Sequence, residues 1–362
     1  MQRVRVRVVL CLLALATTVA GIAFAHERDG ASPKAAGPLR LGLVANTLGW
    51  GDHVGAEQTV AARAGAGWLR EELQWATVAP RQGERHWGPI DRLFTAAAHR
   101  GLHILPVLNE APPWARGRDG ALPTDARAYG AFVGDVVARY GPSGSFWRIH
   151  PRLDASVAPV WFELWNEPYF ARPSHSALTA RRYVALAHAA IVAGRRADPR
   201  ARFLIAIDPA TNGGPRLDRR WLQDLVAARP SLLTEADGVA DHPYGDDGAA
   251  SLRSLDLLRE ALTARGSRLP IWVTEVGWST CPRSAGCVTE RAQAADLRRF
   301  LIGVRSGRRA AAVFVYHLAS WRVRSGDQLF GEFGLLRIDK SRKPAWSVFG
   351  RFAHGLRQEA AA

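Results

Sequence analysis

Eight short apolar runs alternate with eight helix-like stretches between residues 39 and 355, and no other feature of this 362-residue chain restricts its fold as much. The strand-like runs are Leu39 to Val44, Trp68 to Glu71, Leu102 to Leu108, Val160 to Trp165, Phe203 to Ile207, Gly238 to Asp241, Pro270 to Glu275 and Ala311 to His317. Each is rich in β-branched residues or bounded by glycine or proline. Helical patterns fall between them at residues 55–64, 88–100, 125–139, 179–196, 218–228, 250–265 and 290–305, with a last one near 344–355. Strand and helix in strict turn, eight times over, predict a single-domain α/β fold, the closed (β/α)8 TIM barrel, with its active groups at the carboxyl ends of the strands. The length, with 48% hydrophobic and 22% charged residues, suits one such domain over residues 39–357.

Ahead of the barrel, Arg3, Arg5 and Arg7 precede an apolar run from Val8 to about Ala25, which closes on Ala23-Phe24-Ala25 before His26-Glu27-Arg28. This is the pattern of a signal peptide over residues 1–25, followed by a flexible lead-in at 26–38 containing Pro33, Gly37 and Pro38. An uncleaved anchor is the alternative, since roughly 18 apolar residues just span a bilayer. Either way the barrel is expected to be secreted or extracytoplasmic, without membrane contact once the signal is cleaved.

Cysteine usage agrees with export. Cys11 lies inside the signal, leaving Cys281 and Cys287 on either side of the turn-rich Pro282-Arg283-Ser284-Ala285-Gly286. An even count in an exported chain favours a disulfide. Two free thiols, or half of a metal site lacking its second Cys/His pair, are the alternatives.

The formal charge of +15, or +12 without the three signal arginines, raises the question of nucleic acid. The basic residues are mostly arginines scattered through helix-like stretches such as Arg195-Arg196 and Arg308-Arg309. No basic run is interleaved with aromatics and no DNA-binding spacing appears, so no nucleic-acid partner is expected. Neither Gly-x-Ser-x-Gly, His-Glu-x-x-His nor a phosphate-loop pattern occurs, which leaves serine hydrolase, zinc protease and nucleotide chemistry without support.

Two glutamates 108 residues apart close apolar strands: Glu167 in Trp165-Asn166-Glu167-Pro168 and Glu275 in Thr274-Glu275-Val276-Gly277-Trp278. Two carboxyls at the same end of one barrel are what a retaining glycosidase needs, one as proton donor and one as nucleophile. The apolar approach to Glu167 is expected to raise its pKa by desolvation, as a general acid requires, and Asn166 offers an amide to a sugar hydroxyl. In isolation a Glu before Pro can simply cap a turn; the second glutamate makes the pair specific. An arginine or a tyrosine hydroxyl at hydrogen-bond range would hold Glu275 ionised while Glu167 keeps a proton. Arg70 could instead form a surface pair with Glu71 or Glu72, and His242 could be a satisfied core histidine.

These motifs resemble those on strands four and seven of the large clan of retaining (β/α)8 glycoside hydrolases, clan A, nearest to families 39 and 5, and the resemblance covers residues 39 to 355. It implies Glu167 as acid/base, Glu275 as nucleophile and Asn166 as partner of the sugar 2-hydroxyl. Arg70 is similar to the clan's arginine near the nucleophile, and His242-Pro243-Tyr244 to its His-x-Tyr, whose tyrosine contacts the nucleophile. Trp321 is similar to its sugar-stacking tryptophan after strand eight, and Lys343-Pro344-Ala345-Trp346 to the segment opening its last helix.

Departures from the clan pattern are Glu110, in Leu108-Asn109-Glu110-Ala111 after strand three, and Asp208 at the end of strand five; either could bind substrate. Thirteen tryptophans, with Trp50, Trp114, Trp165, Trp278 and Trp321 at strand ends, suit stacking on sugar faces or simply the core. The expectation is thus an exported retaining hydrolase of a β-linked poly- or oligosaccharide, such as a cell-envelope or extracellular polysaccharide, monomeric and without cofactor or metal. A catalytically silent carbohydrate-binding barrel and a transglycosylase using the same glutamates are the alternatives.

Overall fold

The computed structural model describes residues 38–45, 54–207, 219–281, 286–322 and 331–361. The signal segment, nearly all of the lead-in, Trp50 and Asp208 lie outside the described residues.

Eight strands form one closed, all-parallel barrel in chain order. They are β1 (Arg40–Val44), β2 (Trp68–Gln74), β3 (His103–Asn109), β4 (Trp161–Leu164), β5 (Arg202–Ala206), β6 (Gly238–Asp241), β7 (Ile271–Val276) and β8 (Ala312–Val315). The chief helices between and after them are Val54–Ala64, Gly88–Ala98, Ala126–Tyr140, Ala177–Ala197, Arg219–Ala228, Gly248–Thr263, Glu290–Ser306 and Pro344–Ala361. Four of these helices start on a side chain that caps a free backbone N–H: Asp125 accepts from Ala128, Ser176 from Thr179, Asp247 from Ala250 and Thr289 from Ala292.

The alternation of side chains along each strand makes two cores. Val44, Leu105, Leu204, Ala240, Trp272, Ala312 and Phe314 fill the barrel, while a larger cluster lies between strands and helices. Gly42 on β1 answers to the inner packing, because a Cβ there would sit 2.6 Å from the Phe314 ring.

Two strands differ from the sequence expectation in a way that bears on function. β2 continues past Glu71 to Gln74, pairing with β3 from Trp68↔His103 to Gln74↔Asn109. The ladder to β3 outweighs the poor strand propensity of adjacent glutamates. β8 stops at Val315, so His317 lies beyond it.

Tyrosines from the outer layer brace the strand ends that carry the site. The Tyr129 hydroxyl donates to the Leu108 carbonyl at 2.6 Å, and that of Tyr183 to the Leu164 carbonyl at 2.9 Å while accepting from the Ala206 N–H. Among the described residues no helix is long and apolar enough to cross a membrane.

Candidate active site

A buried guanidinium organises the carboxyl-terminal end of the barrel. Arg70 of β2 donates through Nε and Nη2 to the two oxygens of Glu163 on β4, at 2.8 and 2.9 Å. Its Nη1 donates to Glu275 Oε1 at 2.6 Å, and Nη2 also to Asn166 Oδ1 at 2.7 Å. Strands β2, β4 and β7 are not neighbours, so these bonds cross the barrel interior, and the surface pairing with Glu71 or Glu72 is not what Arg70 adopts. Burial alone would weaken the arginine's charge, but the carboxylates of Glu163 and Glu275 outweigh it and hold the proton more firmly than usual.

Glu163 was not singled out from the sequence. It sits between Phe162 and Leu164, both fully buried, and is itself 1% exposed. A carboxylate inside an apolar strand has to find a partner, and that was the available signal.

Glu275 stands where the β7–β8 ladder is irregular between Val273 and Val276. There two successive side chains turn to inner polar partners: the Thr274 hydroxyl reaches Glu163 Oε1 at 3.3 Å, and Glu275 meets Arg70. The other Glu275 oxygen accepts from the Tyr244 hydroxyl at 2.7 Å. Burial first, then the negative charge of Glu275, pushes the Tyr244 phenol well above its ordinary range, so it remains a donor.

Glu167 follows β4 with a left-handed backbone, φ 45°, two residues after Trp165 at φ 68°. Residues other than glycine rarely adopt this region, and such strain gathers at functional sites. Its Oε1 lies 3.0 Å from His242 Nδ1 at the end of β6, and the same nitrogen is 3.8 Å from Glu275 Oε2. Burial opposes a charge on His242, yet the negative charge of Glu275 and the bond to Glu167 prevail and raise its pKa to about 9. For Glu167, burial pushes the carboxyl up, but the hydrogen bond and charge of His242 push it further down, and the net lies below the ordinary carboxylate value. This reverses the direction expected from the apolar approach of β4. Desolvation is present, but a cation supplied by another strand overrides it.

One ligand atom from each of Glu167, His242 and Glu275 lies within 4.8 Å of the others, a grouping that could hold a cation. The donors are already engaged, however: His242 Nδ1 faces Glu167, and Arg70 and Tyr244 take both Glu275 oxygens.

Six of the expected site residues therefore meet in one cluster: Arg70, Asn166, Glu167, His242, Tyr244 and Glu275. Trp321 stands outside that cluster of hydrogen bonds. Its ring packs edge-on against Tyr316 and His317 at 6.2 and 5.0 Å, and Tyr316 in turn lies 6.3 Å from Tyr244. Trp278 is 4% exposed and packs on Phe300, in the core.

Cys281 and Cys287 are disulfide-bonded, with Cα atoms 5.6 Å apart, in the loop after β7. Beside them the buried Lys343 ammonium donates to Thr280 Oγ1 at 2.7 Å, the Glu332 carbonyl at 2.9 Å and Ser320 Oγ at 3.0 Å. One amine thus ties the loops after β7 and β8 to the start of the last helix.

No family model matches the sequence, and no curated protein does. Solved structures resemble the fold. A family 39 glycoside hydrolase from the gut symbiont Bacteroides cellulosilyticus WH2 superposes with a TM-score of 0.62 at 21% identity, over 87% of this chain and 63% of that one. A family 5, subfamily 18 glycoside hydrolase from Streptomyces cattleya in complex with GlcNAc gives 0.67 at 18%, over 90% and 82%. A family 39 β-xylosidase from Caulobacter crescentus gives 0.61 at 21%, over 88% and 72%. The chain thus spans under two thirds of the first of these, and it shares with all three the (β/α)8 barrel fold of the two families its strand-four and strand-seven motifs resemble.

Proposed function

We propose that this chain is an exported retaining glycoside hydrolase acting on a β-linked poly- or oligosaccharide, with Glu275 as nucleophile and Glu167 as acid/base. The observation that carries the reading is the approach of the two carboxylates, one oxygen of each within 4.8 Å, at the ends of β7 and β4. Retaining glycosidases set their carboxyl groups roughly 5–5.5 Å apart, whereas inverting ones leave about 6.5–9.5 Å for a water.

The surrounding groups divide the labour. Arg70 and Tyr244 hold both Glu275 oxygens, aiming the carboxylate at the anomeric carbon. As that carbon is attacked and the glycosidic bond breaks, Glu167 gives a proton to the departing oxygen. Glu167 and His242 hold one proton between them, resting on His242 in the free protein; transfer across their 3.0 Å hydrogen bond readies Glu167 as the acid. In the second half, Glu167 takes a proton from water, which attacks the glycosyl ester on Glu275 and releases the sugar with its configuration retained. Asn166, oriented by Arg70, presents its amide to a sugar hydroxyl.

Export is supported by the basic and apolar N-terminal pattern and by the Cys281–Cys287 disulfide. We read the working form as a monomer that needs no cofactor.

A hydrolysis screen over β-glucans, mannans, xylans and bacterial exopolysaccharides, with product anomers followed by NMR, tests the proposal. Release of the β-anomer first supports it. Inversion, or no hydrolysis of any member, would overturn it in favour of another mechanism or a silent binding barrel.

A further inference from the structure

A cavity of about 290 Å³ opens between the loops after β3 and β4, with Glu110, Arg116, Trp165 and Glu167 in its wall. Glu275, Arg70 and Tyr244 do not line it. The cavity therefore lies on the acid/base side of the pair, away from the nucleophile.

Chemistry assigns that side. The carboxyl that protonates the glycosidic oxygen must touch the leaving group, whereas the nucleophile touches the sugar that becomes covalently bound. Given the hydrolase reading, on which this rests, we propose that the cavity is the leaving-group site, that it takes one neutral sugar unit, and that Glu110 and Arg116 are its specificity residues.

Four observations bear on this. The volume is at the small end of the roughly 300–1,000 Å³ spanned by ligand pockets, enough for a short segment rather than a long chain. Its polar wall is mixed: a guanidinium and a carboxylate, a pair that can grip neighbouring hydroxyls as donor and acceptor, while half-buried Trp165 supplies ring surface for a sugar face. The Arg116 side chain makes a single hydrogen bond among the described residues, from Nε to the Ala111 carbonyl at 3.3 Å, which leaves its outer nitrogens for a ligand.

The fourth observation is conformational. Among the described residues six other than glycine have positive φ, and three of them, Glu110 (53°), Trp165 (68°) and Glu167 (45°), line this one cavity. Strain of this kind persists only where surrounding structure enforces it. The two loops are also tied together, by the Arg172 N–H donating to the Gly120 carbonyl at 3.0 Å. The walls are thus held in place before a ligand arrives, which lowers the cost of binding one.

The test compares leaving groups on a common glycone. Wild type, Glu110→Gln and Arg116→Ala are assayed on cellobiose, mannobiose, xylobiose and β-1,4-galactobiose and on the matching 4-nitrophenyl β-glycosides. Both side chains are exposed, so neither change should disturb folding; melting curves check this. A nitrophenyl group has no hydroxyls for Glu110 or Arg116 to hold. Each variant should lose about tenfold to a hundredfold in kcat/KM on the disaccharide and stay within about twofold of wild type on the aryl glycoside. Equal losses on both leaving groups, or none on the disaccharide, would overturn the assignment and leave the hydrolase reading standing. A wild type inactive on every substrate would remove the hydrolase reading and the assignment together.

Discussion

Arg70 and Glu163 form a two-bond ion pair inside the barrel, each side chain 1% exposed, and through it the guanidinium is aimed at Glu275. Removing one member of a buried pair leaves the other charge without compensation, at a cost of about 3–5 kcal/mol. Glu163→Ala should lower stability by that order in chemical denaturation. Activity should fall as well, because Arg70 loses the partner that fixes its plane. A variant as stable as wild type would show that the pair does not hold the interior together.

The proton shared by Glu167 and His242 sets an expected pH profile. His242 is raised from 6.5 to about 9, so its contribution to stability is full below about 6.5 and is lost as pH climbs through about 9. Glu167 is depressed from 4.5, so its contribution is present above about 4.5 and is lost as pH falls through its lower folded value. Activity needs one proton on the pair, which places the alkaline limb of kcat/KM near pH 9 as a property of both groups. His242→Asn removes the cation that depresses Glu167 and the site where the proton rests, so the limb should move towards acid. A limb that stays put would exclude the shared proton.

The two glutamates should fail differently. Glu275→Ala should abolish turnover of every substrate. Glu167→Ala should cost about 10²–10⁴-fold where the leaving group needs protonation, and much less on an activated aryl glycoside. Kinetics of both variants on a disaccharide and its nitrophenyl counterpart separate the roles. An active Glu275→Ala variant would send the search for a nucleophile elsewhere.

The loop after β7 is held from two sides, by the Cys281–Cys287 disulfide and by Lys343. A bridge closing so short a loop is worth about 2 kcal/mol, and thiol labelling of unreduced protein should find no reactive cysteine in the mature chain. Lys343→Met should cost about 1–3 kcal/mol, since it removes the donor of three hydrogen bonds, although the Glu332 carbonyl keeps the Thr280 N–H and hydroxyl as donors. A change in melting temperature below one degree would mean that the amine is dispensable.

Export predicts a mature chain that begins near His26, after Ala23-Phe24-Ala25. Intact mass of the secreted protein reads this directly, and retention of Met1 would turn the segment into an anchor.

The order of elements was legible because it rests on local pattern: apolar runs, turn residues and helix periodicity recur along the chain, and strand–helix alternation eight times over has one common closed solution. The same pattern put Glu167 and Glu275 at strand ends, and closure of the barrel brought them together. What the sequence could not decide is which charges meet inside. Arg70 has Glu71 and Glu72 beside it in the chain but pairs with Glu163 and Glu275, 93 and 205 residues away. Glu71, next in the chain, faces the opposite side of the strand, and Glu72, two residues on, shares the face of Arg70 and acts on it through its charge, whereas residues of distant strands meet the guanidinium directly. The direction of the Glu167 shift was hidden for the same reason: its apolar approach is written in β4, but the imidazolium that outweighs burial comes from the end of β6. Desolvation can be anticipated from neighbours in sequence, whereas Coulomb energy depends on distance in space, and only the tertiary structure sets that distance.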